Sequence, residues 1–250
     1  MSDSFSVLLG LALSFVGAAA VVATRQGTVV AAFAGLVPAA AASVGFGAPA
    51  LAPLILFVLG SGALTRLGRA TKQAAGTAEP SGGRRGVLNV AAKLGLPAIL
   101  GLAAAASHVS GGASGAAYGA RFATAFAAAL AAAFADTAAT ELGPLARGTA
   151  YRLGATGLRR VPHGAPGAVS VAGIVASLGA AASIGVVSAA VGLVAPREGA
   201  IAAVCGVAAA TAESLAATTR WGNWLGHHGR NAALSATAVA LSLGWTSNGS

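Results

Sequence analysis

The chain has 250 residues, of which 56% are hydrophobic and only 8% are charged, and its mean hydropathy is +0.78. Soluble domains are about 45–50% apolar, so this composition excludes a soluble globular protein and indicates an integral membrane protein. The formal net charge of +9 would favour a nucleic-acid partner in a soluble protein. In a membrane protein the positive-inside rule accounts for that charge, so we expect membrane lipids and no nucleic acid as partners.

Apolar windows recur along the whole chain rather than once at the N-terminus, which argues against a signal peptide followed by a soluble domain. A membrane core of about 30 Å needs roughly 20 mostly apolar residues in each helix. The windows that meet or approach this length are residues 5–23, 28–46, 50–65, 87–107, 118–140, 168–194, 199–218 and 231–246. The sequence therefore predicts an all-α fold, a polytopic integral membrane bundle of about eight transmembrane helices that forms a single membrane domain over residues 1–250.

Basic residues fall in alternate loops, and this alternation sets the expected orientation. They occupy residue 25 and the loops 66–85, 147–160 and 220–230, whereas the loops near 47–49 and 108–117 carry none. Cytoplasmic loops retain lysine and arginine. We therefore predict a protein of the cell membrane with these basic loops in the cytoplasm and both termini outside.

Acidic residues are rare, and three of the six lie at the basic ends of predicted spans: Asp136, Glu141 and Glu213. At about 100° per residue, Asp136 and Glu141 lie about 140° apart on an unbroken helix. They would then need partners from other spans, unless the helix ended between them. Three acids at one depth could share Mg²⁺, which takes oxygen ligands together with substrate phosphates. Alternatively, each acid pairs with an arginine or with water at the interface.

A glycine- and arginine-rich loop, GTAEPSGGRRGVLNVAAK, leads into the fourth predicted span, and its centre consists of Gly82, Gly83, Arg84 and Arg85. Open backbone N–H groups, forked guanidinium donors and a helix N-terminus together suit a phosphate. Topogenic positive charge explains the two arginines equally well. It does not explain Asn89 and Lys93, which share one face of the following helix.

A second turn-rich approach to a helix, VPHGAPGAVSVAG, precedes the sixth predicted span. Gly164 and Gly167 belong to the turn. Ser170 follows in the first helical turn, where its hydroxyl caps the helix or meets a ligand. After the seventh span, the segment TTRWGNWLGHHGRNAALS adds Asn231 at the same membrane face.

The order of these stretches resembles one integral-membrane family. From about residue 54 to the C-terminus, GTAEPSGGRRGVLNVAAK, ADTAATELG, VPHGAPGAVSVAG and an acid in the seventh span are similar to the family of the plant phytyl-phosphate kinase of vitamin E synthesis. That family also contains an animal transmembrane protein of uncertain role. The resemblance implies a kinase that converts a prenyl monophosphate, such as phytyl or geranylgeranyl phosphate, into the diphosphate, with CTP or another nucleoside triphosphate as donor.

The resemblance also assigns motif positions. The first motif covers Glu79, Gly82, Gly83, Arg84 and Asn89, the second Asp136, Thr137 and Glu141, and the third Pro162, Gly164, Gly167 and Ser170. The sequence departs from the family pattern at Lys93, where a small neutral amide is expected, and at Glu213, where aspartate is expected.

These observations lead to a hypothesis of Mg²⁺-dependent phosphoryl transfer at the cytoplasmic membrane face. Its catalytic residues are Asp136, Glu141, Arg84 and Lys93; its metal ligands are Asp136, Glu141 and Glu213; its phosphate and nucleotide contacts come from Gly82, Gly83, Arg84, Arg85, Asn89, Thr137, Gly164, Gly167, Ser170 and Asn231. Two alternatives stay open. A transporter or flippase for a lipid or small anion also uses buried acids, but near the midplane of the membrane. A cytidylyltransferase that forms a CDP-lipid would use the same site chemistry.

Overall fold

The computed structural model describes residues 3–78, 84–146, 148–154 and 157–247. Within these residues the chain forms helices joined by short loops, and one β-hairpin. The elements are α1 (Asp3–Ala23), α2 (Val29–Phe46), α3 (Leu51–Arg66), α4 (Arg69–Ala74), α5 (Val87–Ser110), α6 (Gly112–Leu142), β1 (Ala150–Gly154), β2 (Gly157–Val161), α7 (Val171–Ala190), α8 (Pro196–Ala216) and α9 (Arg220–Ser247).

Seven segments of the described chain are helical, long and apolar enough to cross a membrane: Ser4–Ala23, Val29–Phe46, Ala48–Arg66, Val87–Val109, Gly112–Leu145, Val171–Ala190 and Pro196–Ala216. The eighth predicted span, 231–246, lies inside α9, which bends at Gly226 and packs against α6 and α8. The polar segment 226–231 and the serines and threonines that follow it reduce the apolar character of α9. The all-α polytopic membrane fold is therefore confirmed, with seven candidate spans and α9 as a further long helix.

Helix α6 is the centre of the bundle. Of its most apolar window, 83% is buried, and α3, α5, α7, α8 and α9 pack around it. Most residues from Ala125 to Ala135 are alanines with no exposed surface, because small side chains let neighbouring helix backbones approach closely. The helix continues unbroken to Leu142 and then tightens into a 3₁₀ turn at Gly143–Leu145. Asp136 and Glu141 therefore remain on one helix and point to different neighbours, as expected for an unbroken helix.

The close contact between α6 and α8 provides a test of this packing. A Cβ atom on Gly206 of α8 would lie 2.7 Å from Ala131 Cβ and 2.8 Å from Ala132 N. We expect Gly206→Ala to destabilise the protein by about 1–3 kcal/mol, since overpacking forces the helices apart. Thermal unfolding in detergent should show a melting temperature lower by several degrees. The matched control is Gly179→Ala on α7, where a Cβ meets no atom within 4 Å; an equal loss there would contradict the packing argument.

The loops rich in basic residues meet on one side of the bundle, which we call the basic face. Arg66, at the end of α3, donates to the carbonyl oxygen of Thr24 after α1. The backbone N–H of Arg85 donates to Gln26 O at 3.0 Å, and the N–H of Thr28 donates to Arg85 O at 3.2 Å. These contacts join the turn after α1 to the basic loop 66–85 on one side of the bundle. The assignment of this face to the cytoplasm stays a prediction.

A β-hairpin that the sequence analysis did not predict shapes the basic face. Strands β1 and β2 pair antiparallel, with Ala150 opposite Val161. Tyr151 also exchanges two backbone hydrogen bonds with Val169, at 2.8 and 2.7 Å. The hairpin thereby holds the segment 162–170 in place at the start of α7.

Candidate functional site

A cavity of about 360 Å³ opens among α5, α6, α7, α8, α9 and the segment 162–170, and we call it the polar cavity. Most residues that the sequence predicts for the site line it: Arg85, Lys93, Asp136, Thr137, Glu141, Gly164, Gly167, Ser170, Glu213 and Asn231. They come from stretches that are far apart in sequence. The structure therefore brings the second and third motifs, Lys93 and Glu213 together at one place.

The first motif is only partly represented in this cavity. Arg84 is exposed and lies outside the lining of the polar cavity. Asn89 lines a different cavity, described next. The predicted contacts at Gly82 and Gly83, and the motif position Glu79, lie outside the described residues.

A second cavity of about 310 Å³, the apolar cavity, lies between α1, α2, α3 and α5. Leucine, valine, alanine and glycine residues make up most of its wall. Three residues line both cavities, namely Arg85, Lys93 and Thr137. These three form a shared wall with positive charge between a polar and an apolar space.

Lys93 is held in the shared wall by α6. Its Nζ donates to Asp136 Oδ2 at 3.1 Å and to Thr137 Oγ1 at 2.9 Å. Lys93 is only 5% exposed, and a buried ammonium needs such a charged partner. The side chain of Asp136 remains 21% exposed and lines the polar cavity, so the pair is accessible from that cavity.

Glu141 faces α3 and α4 instead. Its carboxylate accepts hydrogen bonds from Lys72 Nζ and Thr65 Oγ1, each at 2.5 Å, and Arg85 lies 3.8 Å away. Lys72 also donates to the carbonyl oxygens of Leu64 and Thr65 at 2.9 Å, so all three protons of its ammonium have acceptors. Lys72 is 1% exposed and Glu141 2% exposed. Lys72 and Glu141 therefore form a buried ion pair in which every ammonium proton has an acceptor. The pair anchors α4 and lies beside the side chain of Arg85.

The carboxylate of Glu213 lies on the opposite wall of the polar cavity, where α8 meets α9. Arg230 Nε donates to Glu213 Oε1 at 2.9 Å, and Arg230 Nη1 donates to Gly222 O at 3.3 Å. Asn231 is 4% exposed and contacts the ring of His227, with 3.2 Å between Asn231 Nδ2 and His227 Nε2. This wall therefore presents a cation, an amide and an imidazole to the cavity.

Among the residues that the structure describes, no group of three or more His, Cys, Asp and Glu side chains could hold a metal ion. The predicted set of Asp136, Glu141 and Glu213 therefore does not form a three-carboxylate site. The physical reason is that Glu141, at the edge of the polar cavity, is held by Lys72 and Thr65 of α4 and α3. Asp136 and Glu213 are the two members of the set that line the polar cavity and are not held by Lys72 and Thr65.

The segment 162–170 forms the rim of the cavity. Gly164 and Gly167 have φ values of 82° and 70°, which side chains other than glycine adopt reluctantly. A Cβ on Gly167 would also lie 2.8 Å from Ser214 O on α8. Ser170 caps α7, because its Oγ accepts a hydrogen bond from Gly173 N at 3.1 Å. The capping role predicted for Ser170 is confirmed.

Lys72 and Thr65 also belong to this region, although the sequence did not predict them as parts of the site. One signal was present: Lys72 and Lys93 are the only lysines of a chain whose other basic residues are arginine and histidine. Both lysines are buried against acids in the structure. Lysine in a chain that otherwise uses arginine therefore marked two buried positions.

The fold and the cavities define a polytopic α-helical membrane protein whose charged cavity, at one face of the bundle, adjoins an apolar cavity. The sequence profile of the family described as "Integral membrane protein DUF92" matches residues 8–222, and the chain belongs to this family. The match begins well before residue 54, where the resemblance first becomes visible in the motifs. No curated protein and no solved structure matches the chain.

Proposed function

We propose that the protein is a prenyl-phosphate kinase that transfers a phosphoryl group from a nucleoside triphosphate, with CTP favoured, to a prenyl monophosphate such as phytyl or geranylgeranyl phosphate. The observation that carries this proposal is the shared wall of Arg85, Lys93 and Thr137 between a polar and an apolar cavity. A substrate with an anionic head and an apolar tail fits both spaces at once. The cations in the shared wall then meet the phosphate at the point where head and tail join.

The charges around the polar cavity suit phosphoryl transfer. This reaction depends mainly on positioning and on neutralising phosphate charge. Arg85 and Lys93 offer donors on one side of the cavity, and Arg230 offers a guanidinium on the other. The acceptor is a phosphate monoester whose second pKa is about 6, so it is largely ionised at neutral pH and needs no strong general base.

The polar cavity suits a Mg²⁺ site with two carboxylates in place of the three that the sequence predicts. Mg²⁺ is usually held by one or two carboxylates together with substrate phosphates, and Asp136 and Glu213 supply that number from two walls. When bound, the ion would neutralise charge on the phosphates. Lys93 and Arg230 each balance one of these carboxylates.

The position of the ionisable residues favours an enzyme over a transporter. A transporter places its binding site near the bilayer midplane with access to both faces. Here the carboxylates lie in the final turns of α6 and α8, beside the loops of the basic face. This placement supports a site whose reactants arrive from one side.

A transfer assay on the full chain, purified and reconstituted into liposomes, tests the proposal. With geranylgeranyl monophosphate, Mg²⁺ and γ-labelled CTP, we expect label in a lipid diphosphate, and Lys93→Met should lower the rate at least tenfold because the shared wall loses its ammonium. Label from α-labelled CTP in the lipid would instead identify a cytidylyltransferase. No labelled lipid with any donor, from protein that unfolds cooperatively, would overturn the kinase proposal and favour transport.

A further inference from the structure

Helices α1 and α3 run in the same direction and are joined at both ends. At the end away from the basic face, Ala48 N donates a hydrogen bond to Ser6 Oγ at 3.0 Å. At the basic face, the side chain of Arg66 donates to Thr24 O. The two partners are 42 residues apart in each contact. Each residue of α1 therefore lies at about the depth of the residue numbered 42 higher.

A gap lies between these two contacts, and we call it the lateral slot. Leu13 and Val16 form its α1 edge, and Ile55 and Leu59 form its α3 edge. All four residues line the apolar cavity and are also 37–64% exposed, which marks an opening. Because the slot lies midway along two candidate membrane spans, the apolar cavity opens sideways into the hydrocarbon core of the bilayer.

Ser61 lies inside the cavity at the depth of the shared wall. Helices α3 and α6 run in the same direction, and Thr65 of α3 donates to Glu141 of α6. Ser61 and Thr137 lie about one turn before these two residues. Ser61 is 6% exposed, and its Oγ has no hydrogen-bond partner among the residues that the structure describes. Buried polar atoms are almost always paired, so this hydroxyl is placed to donate to a ligand.

The charges beside the slot suit a lipid with a compact anionic head. Arg66 lies at the basic end of the slot, and Arg85 and Lys93 lie at the shared wall inside the cavity. The edges of the slot are aliphatic. Because α1 and α3 are joined at both ends, the slot favours a single tail over the two tails of a phospholipid.

From these observations we infer that the lateral slot is the entrance through which the prenyl monophosphate leaves the bilayer leaflet on the basic side. Its tail lies between the aliphatic edges, and its phosphate passes Arg66 and accepts a hydrogen bond from Ser61 beside the shared wall. This inference rests on the proposed function, because it takes the prenyl monophosphate as the ligand. It adds an entry route and one residue that binds the phosphate.

Photolabelling tests the entrance without turnover. The full chain in liposomes is mixed, without nucleotide, with a geranylgeranyl monophosphate analogue that carries a diazirine on its tail, and labelled residues are mapped by peptide mass spectrometry. We expect label at the slot edges, Leu13, Val16, Ile55 and Leu59, that unlabelled geranylgeranyl monophosphate displaces. Geranylgeraniol, which lacks the phosphate, should compete about tenfold more weakly, a difference of about 1.4 kcal/mol.

Narrowing the slot should reduce this displaceable label. Gly17 lines the apolar cavity beside Val16, and a Cβ there meets no atom within 4 Å, so Gly17→Phe adds a ring in open space. We expect about tenfold less displaceable label at Ile55, and Leu59→Trp should narrow the slot from the α3 edge with the same result. The matched control is Gly179→Phe on α7, where a Cβ also meets no atom within 4 Å, and it should change nothing.

Ser61→Ala tests the contact to the phosphate. It should weaken binding of geranylgeranyl monophosphate about tenfold, because it removes a hydrogen bond to a charged group. Binding of geranylgeraniol should not change, since the alcohol carries no charged head. Equal losses for both ligands would overturn the role of Ser61 in binding the phosphate.

Three results would overturn the entrance: label at the slot that unlabelled geranylgeranyl monophosphate does not displace, equal labelling of Gly17→Phe and the unmodified protein, or active transfer without label at the slot. In the last case the kinase proposal stands. Equal displacement by dioleoyl phosphatidic acid would overturn the assignment to a prenyl chain. If displaceable label appears while the transfer assay yields no labelled lipid, the entrance stands and only the kinase activity fails.

Discussion

Replacing Asp136 with asparagine is expected to lower kcat/KM for phosphoryl transfer by at least 100-fold while the protein remains folded. Asp136 is the carboxylate that faces the polar cavity beside the shared wall. Asparagine keeps its size and an acceptor oxygen for Lys93, but it removes the negative charge that would hold Mg²⁺. The charge stabilisation supplied by a catalytic metal is worth several kcal/mol, and about 1.4 kcal/mol corresponds to each tenfold change in rate. Steady-state kinetics in liposomes give the ratio.

The double variant Asp136→Asn/Lys93→Met separates two roles of Asp136. If the carboxylate only balanced the buried ammonium, removing both charges would restore the rate to that of Lys93→Met alone. We expect instead that the double variant stays as inactive as Asp136→Asn, because the metal ligand is still missing. Glu198→Gln, at the opposite end of α8, is the matched control and should leave the rate unchanged. Recovery of the double variant to the rate of Lys93→Met alone would refute a metal-binding role for Asp136.

The sequence predicted the members of the polar cavity better than their pairings. An ionisable residue inside a membrane bundle must face a polar space or a partner, so the positions of Asp136, Lys93 and Glu213 already implied a common site. Which residue pairs with which depends on how loops fold back. Lys72 reaches Glu141 across 69 residues of sequence, and no local pattern specifies where α4 docks.

The β-hairpin and α9 show that secondary structure, like the side-chain pairings, could be predicted only in part from the sequence. β1 and β2 are five residues each, and the sequence of the exposed strand β2, GLRRV, does not alternate between apolar and polar residues. The hairpin owes its position to backbone pairing between Tyr151 and Val169, which is a tertiary contact. In α9, the helical backbone is interrupted at Gly226, and His227, Arg230 and Asn231 after this kink line the polar cavity. Hydropathy alone could not predict that the polar residues before 231 are helical.

The buried pair of Lys72 and Glu141 is expected to dominate the stability of the basic face. Lys72→Met leaves the carboxylate of Glu141 buried with Thr65 at 2.5 Å and Arg85 at 3.8 Å as its remaining partners. Breaking a buried ion pair by removing one partner costs about 3–5 kcal/mol. Unfolding by denaturant in mixed micelles should therefore show a loss of this size. Glu141→Gln should cost a similar amount, because the ammonium of Lys72 then lacks its counter-charge.

The double variant Lys72→Met/Glu141→Gln should recover most of this lost stability, since no unpaired charge remains buried. Recovery of folding without recovery of activity would show that the pair also positions Arg85, whose backbone is fixed by residues 26 and 28 and whose guanidinium donates to Thr65 at 3.2 Å. Glu198→Gln again serves as the carboxylate control and should shift stability by less than about 0.5 kcal/mol. If each single variant unfolds at the same denaturant concentration as the unmodified protein, the pair is not the anchor of α4.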